Sequence, residues 1–406
     1  CDGSGNLIGL NAWLSSFTAG DVCGSAVVTH SFVQMVEACG VTGSMVYNFI
    51  ATDACGNSIS NTASFSITDT TDPVWVNMPA NQTVQCDGNG NTGELAAWLN
   101  SFTADDLCND VAVTNNFTSL SNLCGATGSA TVTFTATDEC GNSIQQAASF
   151  SIVDTSNPYW VNEPVDLTVE CNGTGNTVEF NTWLNGFTAD DNCGSASVTY
   201  TFISFNGGCG STLSTTVSFK ATDECGNMIT KVAVFTISDT SDPYWVNIPQ
   251  DLVVECDGSG NSVAFNTWLT GFTADDACGD AAVTYTFTSV EGECGSTMIT
   301  TANFTATDEC GNTITKLATF TIADHTMPMI TYCPPDVLIG CGAESGVAAL
   351  GSITASDMCD ANVNINYTDS DTQGMDPEWC DYYSYTITRT FTASDACGNS
   401  TSCVQV

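Results

Sequence analysis

Aspartates and cysteines recur together along this 406-residue chain, and their spacing is the feature that could do chemistry. Asp106 stands two residues before Cys108 and Asp138 two before Cys140. The same couples return as Asp191–Cys193, Asp223–Cys225, Asp276–Cys278, Asp308–Cys310, Asp357–Cys359 and Asp395–Cys397. A further set, Asp69, Asp154, Asp239 and Asp324, lies in the Pro-containing segments between repeats. Carboxylates packed together with no Lys or Arg beside them are costly unless a cation is present. Ca2+, which takes roughly six to eight oxygen ligands, suits such a set. The candidate ligand sets are Asp69/Asp106/Asp138, Asp154/Asp191/Asp223, Asp239/Asp276/Asp308 and Asp324/Asp357/Asp395. The competing reading is that these aspartates cap turns, because Asp before Gly/Asn is a common turn residue.

A second acidic motif, Asp87-Gly-Asn89-Gly-Asn91, returns from Asp257 to Asn261 and opens like an EF-hand loop. Its sixth position is Thr92 or Ser262 where that loop needs Gly, and its twelfth is Trp98 or Trp268 where it needs Glu. A Gly-rich turn fits better. The two histidines, His30 and His325, belong to no triad, and no cysteine stands apart as a nucleophile. Paired carboxylates could serve glycoside hydrolysis, but these recur identically along the chain. The chain reads as a non-enzyme.

Charge narrows the partners. The chain carries 45 Asp+Glu against 4 Lys+Arg, a net charge of −41, which excludes nucleic acid because phosphate binding needs a basic patch. No apolar run approaches the ~18 residues of a membrane span. At 43% apolar and 12% charged, the chain is too hydrophobic for a disordered acidic tail. Its 22 cysteines form no C-x2-C pair, so disulfides in an oxidising compartment explain them better than zinc. The expected location is secreted, extracellular or cell-surface. The opening Cys1-Asp2-Gly3 falls inside a motif, as expected of a mature piece of something longer.

The elements that must position these residues repeat. Cys1, Cys86, Cys171, Cys256 and Cys341 are each 85 apart, and three further cysteine series keep nearly the same step. Five units follow, at 1–72 (lacking its first strand), 73–157, 158–242, 243–327 and a divergent 328–406 with six cysteines. Within a unit the apolar period is two. Val198, Tyr200 and Phe202 alternate with threonines, and Val217, Phe219 and Ala221 alternate with Ser218 and Lys220, which predicts strands joined by hairpins. One stretch, Phe180 to Phe187, reads as a helical turn with Trp183 as a core plug; Trp13, Trp98 and Trp268 hold the same place. The expected fold is all-β, a linear tandem array of five disulfide-stapled immunoglobulin-like β-sandwich domains. Linkers with Pro next to Trp75, Trp160 or Trp245 should be stiff.

Strand length constrains the cysteines. The run Ser211–Asp223 between Cys209 and Cys225 spans roughly 40 Å at ~3.3 Å per residue, whereas a disulfide needs Cα atoms within ~7 Å. Cys193 and Cys225 therefore share the N-terminal pole of a unit, and Cys171 and Cys209 the other. Pairing within each pole predicts Cys171–Cys209 and Cys193–Cys225, and by repetition Cys1–Cys39, Cys23–Cys55, Cys86–Cys124, Cys108–Cys140, Cys256–Cys294, Cys278–Cys310, Cys341–Cys380 and Cys359–Cys397. Cys333 and Cys403 remain for each other.

The words ATDECGN at 136–142, 221–227 and 306–312, Cys-Pro-Pro-Asp at 333–336 and SYTITRTFTASDACGN at 384–399 resemble the hyalin-type repeat (HYR). The likeness is to its four-cysteine variant in large secreted surface proteins and adhesins of Bacteroidota, and it covers all five units. Units one to four depart from it by a longer Gly-x-Gly-Asn…Trp-Leu insertion. The resemblance implies an immunoglobulin-like fold, an adhesive or structural role at the cell surface and no catalytic residues. The expected function is a stalk or filament segment of an adhesin, a rod of at least ~150 Å, stiffened by interdomain Ca2+. Its expected partners are neighbouring repeats and other copies of the chain. One alternative is a multivalent carbohydrate-binding array using Tyr159-Trp160 and Tyr244-Trp245 on surface glycans. Another is a self-assembling filament subunit.

Overall fold

The computed structural model describes residues 1–340, 343 and 345–406. The second repeat shows the plan. Alternation in strands Gly128–Asp138 and Ser143–Val153 puts Val132, Phe134 and Ala136 of one, and Ala148, Phe150 and Ile152 of the other, on a common buried face. The two strands pair antiparallel from Gly128↔Ile152 to Thr137↔Ser143. Gln82–Gln85 joins the outer edge of Ser143–Val153 in parallel, and Val111–Asn115 adds antiparallel beyond Gly128–Asp138. This four-stranded sheet faces a small second sheet, in which Val74–Asn77 pairs with Thr103–Asp105.

Helix Thr92–Leu99 closes the core between them. Its Trp98 is 3% exposed, meets Phe102, Phe134 and Phe150 edge-on or tilted, and donates from Nε1 to the Ala80 carbonyl at 2.8 Å. Such a ring contributes through its area and its satisfied N–H together. The segment before the helix is a turn closed on its own side chain. Asp87 Oδ1 accepts from the Asn89 and Asn91 amides, and Asn91, at φ 50°, reaches back to the Gln85 carbonyl. Asn tolerates this left-handed conformation better than most residues.

The chain divides into two compact units. The first holds Cys1–Val165, Leu184–Thr201 and Val217–Ala233; the second holds Asp166–Trp183, Phe202–Thr216 and Val234–Val406. In the first, the opening repeat is a three-stranded sheet of Ala26–Glu37, Gly43–Asp53 and Ser58–Ile67 under helix Leu7–Ser15. In the second, the fourth repeat reproduces the plan, with Leu252–Glu255, Thr313–Ala323, Met298–Asp308 and Ala281–Glu291 in one sheet and Tyr244–Asn247 with Thr273–Asp275 in the other. The fifth departs from it. Arg389, in the place of Val132, is 5% exposed, grips Asp369 through two 2.7 Å bonds and lies 4.3 Å over the Tyr367 ring. The bond from Arg389 holds the Asp369 carboxyl below its usual range. The fold is thus a tandem series of disulfide-linked β-sandwich repeats of immunoglobulin-like type.

Candidate functional site

The site is built at the junction of consecutive repeats, where hairpin ends and short loops meet. In the second repeat the pairing Val111↔Asp138 brings the loop before Val111, with Cys108, to the same end as the Asp138–Asn142 turn, with Cys140. At the opposite end lie Cys86, whose amide donates to the Val153 carbonyl, and the Cys124 turn preceding Gly128–Asp138. The second repeat therefore has a near pole and a far pole with two cysteines apiece.

The bridges run from the far pole of one repeat to the near pole of the next. They are Cys1–Cys108 with Cys39–Cys140, Cys86–Cys193 with Cys124–Cys225, Cys171–Cys278 with Cys209–Cys310, and Cys256–Cys359 with Cys294–Cys397. This corrects the pairings expected within each repeat. Cys1–Cys39, Cys23–Cys55, Cys86–Cys124, Cys108–Cys140, Cys171–Cys209, Cys193–Cys225, Cys256–Cys294, Cys278–Cys310 and Cys359–Cys397 are not made. The expected Cys341–Cys380 pair lies outside the described residues. The physical reason is that sharing a pole does not make two cysteines the nearest partners. Each faces the abutting repeat, with Cα atoms 5.0–6.1 Å apart across the junction. Cys333 and Cys403 are joined inside the last repeat.

Backbone contacts fix this arrangement. The carbonyls of Cys108, Cys193, Cys278 and Cys359 accept from the amides of Val41, Ala126, Ser211 and Ser296 at 2.6–3.2 Å. The glycine just after the second far-pole cysteine, as in Cys124-Gly125 and Cys209-Gly210, makes room for that carbonyl. A Cβ on Gly125 or Gly210 would stand 2.2 Å from the Cys193 or Cys278 oxygen, and both glycines have φ above +50°. These cross-junction partners went unrecognised in the sequence, although the constant Cys-Gly pair was their signal.

The carboxylates divide into two kinds. Asp69 with Asp106, Asp154 with Asp191, Asp239 with Asp276 and Asp324 with Asp357 each place oxygens within 4.8 Å of one another and of a bridged cysteine sulfur. Because that sulfur is in a disulfide it is no thiolate ligand, so the donor set is a carboxylate pair. The third members, Asp138, Asp223, Asp308 and Asp395, fall outside these groups and cap the ATDECGN-type turns. Asp138, for example, accepts from the Asn142 amide at 2.9 Å and from Asn142 Nδ2 at 2.8 Å. The turn asparagines also touch the linkers: Asn312 Nδ2 donates to the Asp239 carbonyl and Asn399 Nδ2 to that of Asp324.

The pairs are electrostatically unbalanced. Burial raises the Asp239 carboxyl above its ordinary value, and Asp276, Asp308 and Glu170 add repulsion that the Ser241 amide only partly offsets. At the last junction Asp324 is 7% exposed; its Oδ1 accepts from Thr326, while its Oδ2 is buried with no hydrogen-bond partner. An orphaned carboxylate oxygen beside a second carboxylate fits a hard divalent cation, whose charge would offset both desolvation and repulsion.

No family model matches the chain, the hyalin-type repeat included. No curated protein matches it either. Among solved structures it is similar to the protocadherin GammaB4 extracellular domain at 12% identity, covering 94% of this chain and 77% of that one with a TM-score of 0.34. Protocadherin Gamma B2 extracellular cadherin domains 1–5 give 10% identity, 90% and 85% coverage and a TM-score of 0.31. Drosophila N-cadherin EC1-4 gives 10% identity, 76% and 94% coverage and a TM-score of 0.22. Among the described residues no helix is long and apolar enough to cross a membrane.

Proposed function

We propose that the chain is a segment of a non-enzymatic extracellular rod, a stalk or filament of a cell-surface adhesin, that resists tension through its inter-repeat disulfides and binds Ca2+ at its junction carboxylates. The observation that carries this reading is the route of the covalent bonds. From Cys1 the short path crosses to Cys108, follows 108–124, crosses to Cys225, runs back to Cys209, crosses to Cys310, runs back to Cys294 and crosses to Cys397. Two of the three chain stretches on that path are strands already extended, Leu213–Asp223 and Met298–Asp308, and the third contains Val111–Asn115. At ~3.3 Å per residue the three stretches together measure about 160 Å, against roughly 1,300 Å for the same chain without bridges. A pull therefore loads this short path of strand, loop and sulfur bonds and can draw out no chain beyond its length.

Disulfides at this density suit an oxidising, extracellular setting. Ca2+ fits the carboxylate pairs as the ligand that removes their mutual repulsion. Trp75 and Trp245 pack against the repeat cores, which favours the mechanical reading over glycan binding by the linker aromatics.

Single-molecule stretching tests the proposal. The oxidised chain should rupture its tethers without releasing folded length, whereas a reduced chain should release about 300 Å per repeat. Release of such steps by the oxidised chain overturns it.

A further inference from the structure

The near pole of the first repeat is assembled like the four that receive bridges, yet it receives none. Cys23 and Cys55 occupy the places of Cys108 and Cys140, and both are exposed and unbridged. Their surroundings are already formed. The Asp21 carboxylate accepts from the Cys23 amide at 3.1 Å, as Asp106 does from Cys108 at 2.8 Å. Asp53 accepts from the amides of Cys55 and Asn57 at 2.9 and 2.8 Å and from Asn57 Nδ2 at 2.9 Å, the same turn that Asp138 builds. The pairing Ala26↔Asp53 sets both cysteines at one end of the hairpin, as Val111↔Asp138 does in the second repeat. Val22, the counterpart of Leu107 whose carbonyl lies against Gly3, is fully exposed.

We propose that this pole is a docking site for the far pole of a further repeat of the same type, captured by two disulfides. The four junctions define the occupant's chemistry. It presents a Cys-x-Gly turn and a Cys-Gly turn, 38 residues apart as in Cys86/Cys124 and Cys171/Cys209. Its first cysteine joins Cys23 and its second joins Cys55, with the amide two residues after the second donating to the Cys23 carbonyl. Each bridge forms from two thiols and one molecule of a low-molecular-weight disulfide such as oxidised glutathione. A thiolate attacks the disulfide and expels one glutathione thiolate; the facing thiolate attacks the mixed disulfide and expels the second. Two thiols are oxidised, one S–S bond is transferred, and two reduced glutathiones leave. The docking chemistry deepens the proposed array, and a failure here leaves its response to force unaltered.

The test extends the full chain by a copy of residues 1–85 placed before Cys1, refolds it with oxidised glutathione and maps its disulfides by mass spectrometry. The expected map joins the copy of Cys1 to Cys23 and the copy of Cys39 to Cys55, leaving the copies of Cys23 and Cys55 alkylatable. The eight existing inter-repeat bridges in the same map report folding. Cys23 or Cys55 remaining alkylatable beside those eight bridges overturns the proposal. A second measurement uses the unextended chain, treated with oxidised glutathione alone. It should yield glutathione adducts on Cys23 and Cys55, and a Cys23–Cys55 bridge there overturns the proposal independently of the extension.

Discussion

Gly125 lies directly against the carbonyl of Cys193, so that a side chain's first carbon would sit 2.2 Å from that oxygen. The same contact carries the Ala126 amide to the Cys193 carbonyl at 2.6 Å and follows the bridged Cys124 of the Cys124–Cys225 pair by one residue. The left-handed φ of +55° and the closed space act together. Gly125→Ala should cost about 1–2 kcal/mol for the backbone alone, plus the clash. Gly141→Ala, at φ +92° with open space around it, should cost the backbone share only. Thermal unfolding of both variants, with quantified oxidation of Cys124 and Cys225, checks the difference; equal effects would mean the close approach does not matter.

Calcium should raise the melting temperature of the oxidised chain, and chelation should reverse it. At a free concentration a hundred times the dissociation constant, one site contributes about 2.7 kcal/mol. Asp324→Asn removes the orphaned oxygen's charge and should abolish the response of the last junction while sparing the others. Calorimetric titration of the variant should count one site fewer than the parent.

The Asp239 junction should respond to pH in the direction opposite to most carboxylates. Its folded value lies above the ordinary 3.8, with burial the largest cause. The folded state thus holds this proton more tightly than the unfolded one. The resulting stability is fully present below 3.8 and is lost as pH rises through the raised value. In metal-free buffer, Asp239→Asn should flatten that part of the stability profile, and saturating Ca2+ should do so in the parent. A profile unchanged by the substitution would remove Asp239 from the account.

Trp98→Ala should be the most damaging single change in the second repeat. The ring is 3% exposed, packs on three phenylalanines and satisfies the Ala80 carbonyl. The expected loss is about 3–5 kcal/mol, and Trp98→Phe should recover part of it by refilling volume without the N–H. Hydrogen exchange should show the loss concentrated in Gly128–Asp138 and Ser143–Val153.

The strands and the tryptophan plug were legible because period-two runs such as Val217, Phe219 and Ala221 can bury only one face, and because Trp183 recurs at the same place in each longer unit. The poles were legible too, since a strand of known rise separates Cys209 from Cys225. What strand length could not tell was whether a cysteine at a pole turns to its neighbour or to the abutting repeat. That choice rests on contacts between residues about a hundred apart, Cys124 with Cys225 for example, and on glycines whose role is to admit a carbonyl. Asp138 shows the same limit from the other side. Asn142, four residues on, consumes its carboxylate locally, so a residue that looked like a third ligand became a turn cap. The residues before the first cysteines carried a signal that only the fold explains: Gln85, Glu170 and Glu255 accept hydrogen bonds from Thr155, Thr240 and His325 in the following linkers.

Among the described residues the eight inter-repeat bridges overlap like links of a chain-mail sheet, each loop beginning before the previous one has closed. Every peptide bond between Cys1 and Cys397 therefore lies inside at least one disulfide loop. A protease that cuts any one of them leaves the two pieces attached, and from Cys39 to Cys359 each bond lies inside at least two loops. Dismantling such a chain begins with reduction, and an environment without a reductant would let it accumulate single cuts without coming apart.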